Sequence, residues 1–144
     1  MLIGIHPLLN AEILHMLASM GHGDTLVICD ANFPAASVAD ATICGSPIQL
    51  SVDALTALEA ILTVFPIDNF DLTIPPVAGM AVVGKPIEVP PIIVDAKQML
   101  AKSDASITLI ERHAFYDLAK KAYAVICTTE ARHYGNFIIR KGVV

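Results

Sequence analysis

His22 stands between Gly21 and Gly23, with Asp24 beside it and Asp30 just beyond the apolar run Thr25-Leu26-Val27-Ile28-Cys29. An imidazole is the side chain whose ordinary titration lies nearest neutral pH, so it both gives and takes protons there. A carboxylate close to it can orient the ring or share the proton work. A helical pattern stops at Gly21, and residues 25–29 read as a buried strand. The segment therefore sets an imidazole and two carboxylates at the two ends of one predicted strand and its entry loop. A purely structural reading competes: Gly21 caps a helix, His22 is a solvated loop residue and Asp30 opens a turn. For this segment taken alone, the structural reading is the stronger.

Further polar residues fall where α/β sheets gather ligands, beyond the carboxyl ends of strands and at helix starts. Asp30 ends the first strand, and Asp68 follows the second helix. Arg112 opens a helix immediately after a strand, and Tyr116, one turn on, shares its face. Tyr134 and Asn136 occupy the turn before the last strand. Together His22, Asp30, Asp68, Arg112, Tyr116, Tyr134 and Asn136 suit a polyhydroxylated ligand, with donors, acceptors and one readily titrating group. Each also has an ordinary role. Arg112 can pair at the surface with Glu111 or Asp117, where ion pairs contribute little. The tyrosines can be rim residues with a wet hydroxyl, Asn136 suits a turn, and Asp68 can be a loop carboxylate.

Other chemistries find no support. The chain lacks GxGxxG after its first strand, a GxxxxGK[ST] loop and a GxSxG elbow. A metal site built on His22 and Asp24 would need partners, yet His6, His15, His113 and His133 stand at no ligand spacing, and no cysteines pair as CxxC. No metal and no cofactor are expected.

The elements that must hold these residues alternate in type. Asn10 caps a helix whose apolar residues Ile13, Met16, Leu17 and Met20 recur at helical spacing. After the strand at 25–29, Asn32-Phe33-Pro34-Ala35 reads as loop, because proline turns the preceding residue away from helix. A short strand is predicted over 47–52, then a helix capped by Asp53 and running through Val64. The proline-rich stretch 66–91 holds one strand, near 77–83. A helix over 92–102, a strand over 107–110, a helix over 112–122 and strands over 123–128 and 137–140 complete the pattern. Alternation of this kind predicts an α/β domain over 1–144: a three-layer, mixed and mostly parallel sheet with helices on both faces. The last two strands are joined too closely for a helical crossover, so one of them is antiparallel.

Composition narrows the function further. The chain is more than half apolar, which points to a deeply buried sheet or large subunit contacts, and its net charge of −5 argues against a nucleic-acid partner. Pro, Gly and charged residues interrupt every apolar stretch before membrane-spanning length. The three widely spaced cysteines, Cys29, Cys44 and Cys127, and a start without a basic n-region fit the reducing cytoplasm.

Longer blocks carry a resemblance. Met20-Gly21-His22-Gly23-Asp24 followed by Asp30-Ala31-Asn32-Phe33-Pro34-Ala35 resembles the N-terminal part of the RbsD/FucU family of fucose mutarotases and ribose pyranases. Ile110-Glu111-Arg112, Ala114-Phe115-Tyr116, Tyr134-Gly135-Asn136 and Arg140-Lys141-Gly142-Val143 resemble its fucose mutarotase branch. The chain departs from the family pattern at His113, at Cys127-Thr128-Thr129-Glu130, and at Arg132-His133, where smaller or apolar residues are usual.

The resemblance implies an RbsD-like fold and an isomerase that interconverts sugar ring forms, chiefly the α and β anomers, without a cofactor. L-fucose or a related sugar is the expected substrate. His22 carries over as the catalytic acid/base. Asp30, Arg112, Tyr116, Tyr134 and Asn136 carry over as sugar contacts, and Asp68 does so through Pro66-Ile67-Asp68. It also implies a homo-oligomer, a decamer of two stacked pentameric rings, with sites close to subunit contacts. Two readings stand beside this one: a ribose pyranase exchanging pyranose and furanose forms, and a non-catalytic sugar-binding module of an uptake system.

Overall fold

A computed structural model describes residues 1–144. Six strands form one sheet in the order β2-β5-β1-β6-β3-β4. In chain order these are β1 (Thr25–Cys29), β2 (Ile48–Leu50), β3 (Val77–Met80), β4 (Ile107–Ile110), β5 (Ala124–Thr128) and β6 (Phe137–Arg140). Only β6 runs against the rest: it lies between β1 and β3 and is antiparallel to both, whereas β1, β2 and β5, and likewise β3 and β4, pair in parallel. The short β5–β6 connection does not form a hairpin. It steps over β1 and returns on β1's other side.

Alternate residues of the central strands face opposite layers, as pleating requires. Leu26 and Ile28 of β1, with Phe137 and Ile139 of β6, pack into one core with the helices α1 (Ala11–Ser19), α3 (Ala54–Leu62) and α4 (Pro91–Ala101). Val27, Cys29 and Ile138 face the other core, covered by α2 (Ala35–Ala39) and α5 (Arg112–Ala119). Two cores, one on each face, make the three layers that the alternating pattern predicts.

The helices begin where the sequence places their caps. Asn10 Oδ1 accepts the Ile13 N–H at 2.9 Å, and Asp53 Oδ1 accepts that of Thr56 at 2.9 Å. Pro91 occupies the first turn of α4, where a missing N–H leaves no bond unmade. Several boundaries differ from the sequence reading: β2 keeps only Ile48–Leu50 of the predicted 47–52, and α3 ends at Leu62, before Val64. The segment after Pro34 forms the short helix α2, because Ala35, Val38 and Ala39 are spaced to bury one face. Strand β3 ends at Met80, not near 83, and the chain then leaves the sheet as a strap over Ala81–Gly84. Helix α5 ends at Ala119, three residues early.

The end of β6 acts as a clasp for the site. The Gly23 N–H donates to the Lys141 carbonyl at 2.9 Å, and the Lys141 N–H donates to that of Asp24 at 2.8 Å. On the other side the Asp68 N–H reaches the Arg140 carbonyl at 3.0 Å, and the Gly142 N–H reaches that of Pro66 at 2.7 Å. Lys141 Nζ donates to the carbonyls of Leu17 and Met20 at 2.7 and 2.6 Å, satisfying acceptors that the end of α1 leaves open. Gly142 is required sterically here: a methyl group at its Cα would lie 2.7 Å from the Ile67 carbonyl oxygen, and backbone cannot step aside. Gly142→Ala is therefore expected to destabilise the fold by about 1–3 kcal/mol, read as a lower urea midpoint at unchanged slope. A midpoint equal to that of the parent would refute the clasp.

Candidate active site

The polar residues singled out by the sequence gather into two clusters, one at each end of β1. At the entry end, His22 Nε2 lies 3.1 Å from Asp68 Oδ2. The imidazole is half exposed and the carboxylate is buried. Asp68 Oδ1 accepts the Phe70 N–H at 3.0 Å, and Arg140 Nε lies 3.2 Å from Oδ2. That last contact is an ion pair without hydrogen-bond alignment. The guanidinium is held instead by Nη2, which donates to the Asp71 carbonyl at 2.9 Å. Asp24 shapes the loop that carries His22, its Oδ2 accepting the Gly21 N–H at 2.7 Å.

The Phe70 N–H, the His22 ring and the Arg140 charge hold the Asp68 carboxyl below its ordinary range, the N–H contributing most. A carboxylate so anchored is a fixed orienting partner for the imidazole, on the principle that orients a catalytic base through its second nitrogen.

At the exit end, Asp30 and Asn136 are both buried and clasp each other. The Asp30 N–H donates to Asn136 Oδ1 at 3.0 Å, and Asn136 Nδ2 donates to Asp30 Oδ2 at 3.0 Å. Asp30 Oδ1 accepts the Asn32 N–H at 2.9 Å. Above this pair opens a cavity of about 370 Å³. Phe33, Met80 and Tyr116 give it apolar surface, while Asp30, Asn32, His133, Tyr134 and Asn136 supply polar groups. The Phe33 and Tyr116 rings lie 5.5 Å apart, and Phe115 meets Phe33 edge-on. Tyr134 adopts φ +65°, and its hydroxyl accepts the Val83 N–H at 3.2 Å, tying the turn to the strap.

Arg112 faces a neighbouring hollow of about 430 Å³, formed with the strap, Leu109 and His113. Glu111 caps α5, accepting the His113 and Ala114 N–H groups, which lower its pKa. Asp30, Tyr116, Tyr134 and Asn136 thus share one cavity, Arg112 borders the next, and His22 with Asp68 stands at the far end of the strand. Five strand residues at about 3.3 Å each put the two clusters roughly 17 Å apart.

Sequence reasoning passed over Arg140 and His133. The first was visible only as a basic residue in the final block, the second only as a departure from a pattern. No group of three His, Cys, Asp or Glu side chains is placed to hold a metal ion, and no helix is long and apolar enough to cross a membrane.

One six-stranded mixed sheet thus carries an oriented imidazole at one end of β1 and a part-apolar hollow over a buried carboxylate at the other, which defines an α/β protein with two polar clusters. Comparison with known proteins agrees. The RbsD / FucU transport protein family matches residues 3–144. The fucose mutarotase of Danio rerio is 44% identical over 98% of this chain and 93% of its own length. The L-fucose mutarotase of Actinobacillus pleuropneumoniae is 41% identical over 99% of this chain and 97% of its own. The crystal structure of the Streptococcus pneumoniae fucose mutarotase in complex with L-fucose superposes with a TM-score of 0.84 at 32% identity, covering 99% of both chains. The chain belongs to the RbsD/FucU family.

The sign of the Asp68 shift fixes an acid dependence. A carboxyl whose folded pKa lies below its unfolded value, ordinarily about 3.9, stabilises the fold at all pH above that value. The contribution fades as pH falls through the folded pKa. Asp68→Asn is therefore expected to lower the melting temperature near neutral pH and to flatten its decline below about pH 4. A variant that melts in parallel with the parent over that range would contradict the assignment.

Proposed function

We propose that this enzyme interconverts the α and β anomers of L-fucose by general acid–base opening of the sugar ring. The observation that carries the proposal is the imidazole of His22 braced on a buried carboxylate. The Asp68 carboxylate accepts the Nε2 proton, which leaves Nδ1 free to serve a substrate. Resemblance to fucose mutarotases selects the sugar. The Phe33, Met80 and Tyr116 surface supports that choice, because a 6-deoxy sugar presents a methyl group where a hexose presents a hydroxyl.

In the forward step, protonated His22 gives its proton to the ring oxygen while a base takes the proton of the anomeric hydroxyl. The C1–O5 bond breaks with its electron pair leaving on the former ring oxygen, and C1 becomes an aldehyde carbon. Rotation about C1–C2 presents the other aldehyde face. The oxygen re-adds, both protons return and the opposite anomer results. No cofactor enters this cycle. Asp30 is the sugar clamp: Asn32 and Asn136 occupy one acceptor direction on each oxygen and leave the others for sugar hydroxyls. Tyr116 and Tyr134 are placed to bracket the ring, and Arg112 to reach it from the adjoining hollow.

The separation of the two clusters adds a requirement. His22 cannot serve the Asp30 cavity of its own chain, so each complete site takes its imidazole from one copy and its cavity from the next. Such a head-to-tail contact closes into a ring, in line with the decamer of stacked pentamers that the resemblance implies. Large apolar side chains stand exposed at both ends: Phe70 and Leu72 follow Asp68 in the His22 cluster, and Val83 lies on the strap tied to Tyr134 of the cavity. Surfaces of that kind mark contact sites. One such domain spans residues 1–144, acting in the cytoplasm on a free monosaccharide.

Saturation-transfer NMR tests the proposal. Irradiating one anomeric proton of L-fucose should deplete the other far faster with enzyme than in buffer. His22→Ala should lower that exchange by at least about 10²-fold, the low end of a general acid–base contribution, while circular dichroism and oligomer size stay unchanged. Exchange at the parent rate in a folded His22→Ala protein would overturn the mechanism.

A further inference from the structure

His133 lines the same cavity as Asp30, Tyr116 and Tyr134, yet no step above uses it. Its side chain is exposed, but the backbone on both sides is held. On one side Arg132 grips Glu130: the Arg132 N–H and Nε donate to Oε1 at 2.9 and 3.0 Å, and Nη2 donates to Oε2 at 3.1 Å. Arg132 Nη1 also reaches Asp95 Oδ2 of α4 at 3.1 Å. Glu130 is buried, and its Oε2 receives the Ala54 N–H at 3.3 Å, so the grip is anchored to the start of α3. On the other side Tyr134 is tied to Val83, and Gly135 is pressed so closely on Glu130 and Ile92 that an added methyl would sit 2.7 and 2.9 Å from them.

A polar group on a loop fixed in this way loses little freedom when it meets a ligand, which favours a binding role. The Phe33–Tyr116 surface accepts the apolar side of a sugar ring, and the Asp30–Asn136 pair accepts hydroxyls at the floor. His133 stands at the rim. A neutral imidazole carries one donor and one acceptor nitrogen, matching the two capacities of a hydroxyl.

We propose that His133 is a specificity-determining substrate contact: its imidazole hydrogen-bonds one ring hydroxyl of the bound sugar, and the Arg132–Glu130–Asp95 array holds it in place. The inference rests on the sugar mutarotase reading. A contact of this kind rejects an analogue whose hydroxyl is missing or inverted, because the protein group is left without its partner. At an open rim water softens the penalty, so the discrimination is modest.

The test is anomer exchange of L-fucose and of its single-hydroxyl epimers and deoxy analogues by parent, His133→Leu, His133→Gln and Arg132→Ala. The parent should lose about tenfold in kcat/KM on one analogue, the scale of one rim hydrogen bond. His133→Leu should shrink that gap to about twofold, with KM for L-fucose rising more than kcat falls. His133→Gln, which keeps a donor and an acceptor, should retain most of the gap. Arg132→Ala should move in the direction of His133→Leu by a smaller step. A His133→Leu enzyme that discriminates like the parent, or one that loses kcat at constant KM, would overturn the contact. Imidazole resonances of His133 recorded in the same samples separate this inference from the one beneath it. Signals that shift on adding L-fucose support the contact, and signals that stay fixed overturn it. A parent that exchanges none of the sugars would refute the mutarotase reading.

Discussion

A five-residue strand in the middle of a sheet cannot bend back on itself, and that constraint organises the molecule. Strand β1 is flanked by β5 and β6 and buried on both faces. Its entry end carries the His22 imidazole and its exit end the buried Asp30 carboxylate. Strand β6, alone in its direction, binds both ends. Asn136, just before its first residue, clasps Asp30, and Arg140 at its end, with Lys141 just beyond, holds Asp68 and the His22 loop. One reversed strand therefore sets the geometry of both polar clusters at once.

Three buried carboxylates sit along this path, Asp30, Asp68 and Glu130. Burying a charge is costly unless its lone pairs are met, and each of these is met by partners distant in sequence. Asp30 has Asn136, Asp68 has His22 and Arg140, and Glu130 has the start of α3 as well as its neighbour Arg132. Arg132 is the largest influence holding the Glu130 carboxyl below its usual range. The polar framework thus does structural and chemical service together. The loops that present functional groups are the ones whose backbone is tied by charged partners.

Much of this was legible in the chain itself. Every strand was placed, because short apolar runs were bounded by Gly, Pro or charged residues. The caps at Asn10 and Asp53 marked two helix starts, since each offers a side-chain acceptor before an apolar-periodic segment. Helix α2 was missed, because five residues give too short a window for a 3.6-residue period. The strap after Met80 reads as strand because Ala81, Val82 and Val83 are apolar, although only the Ala81 N–H still reaches β4, at the Ile110 carbonyl, before the chain leaves the sheet. Reading β1 as one strand already implied that His22 and Asp30 stand apart. What could not be read was the partition of the remaining residues: that Tyr116 lines the Asp30 cavity while Arg112, one turn away, borders another hollow, and that Arg140 braces Asp68. These depend on strand order and on the path of β6, which local sequence does not encode.

The central claim is that one catalytic site draws on two copies of the chain. The most direct measurement mixes two inactive proteins, His22→Ala and Asp30→Ala, by joint refolding or co-expression, and follows L-fucose anomer exchange. If the site spans a head-to-tail contact, random assembly leaves about a quarter of the sites with both functional residues, and activity returns to roughly that fraction of the parent. Activity that stays at the level of the separate variants, in rings shown to contain both proteins, would contradict the account.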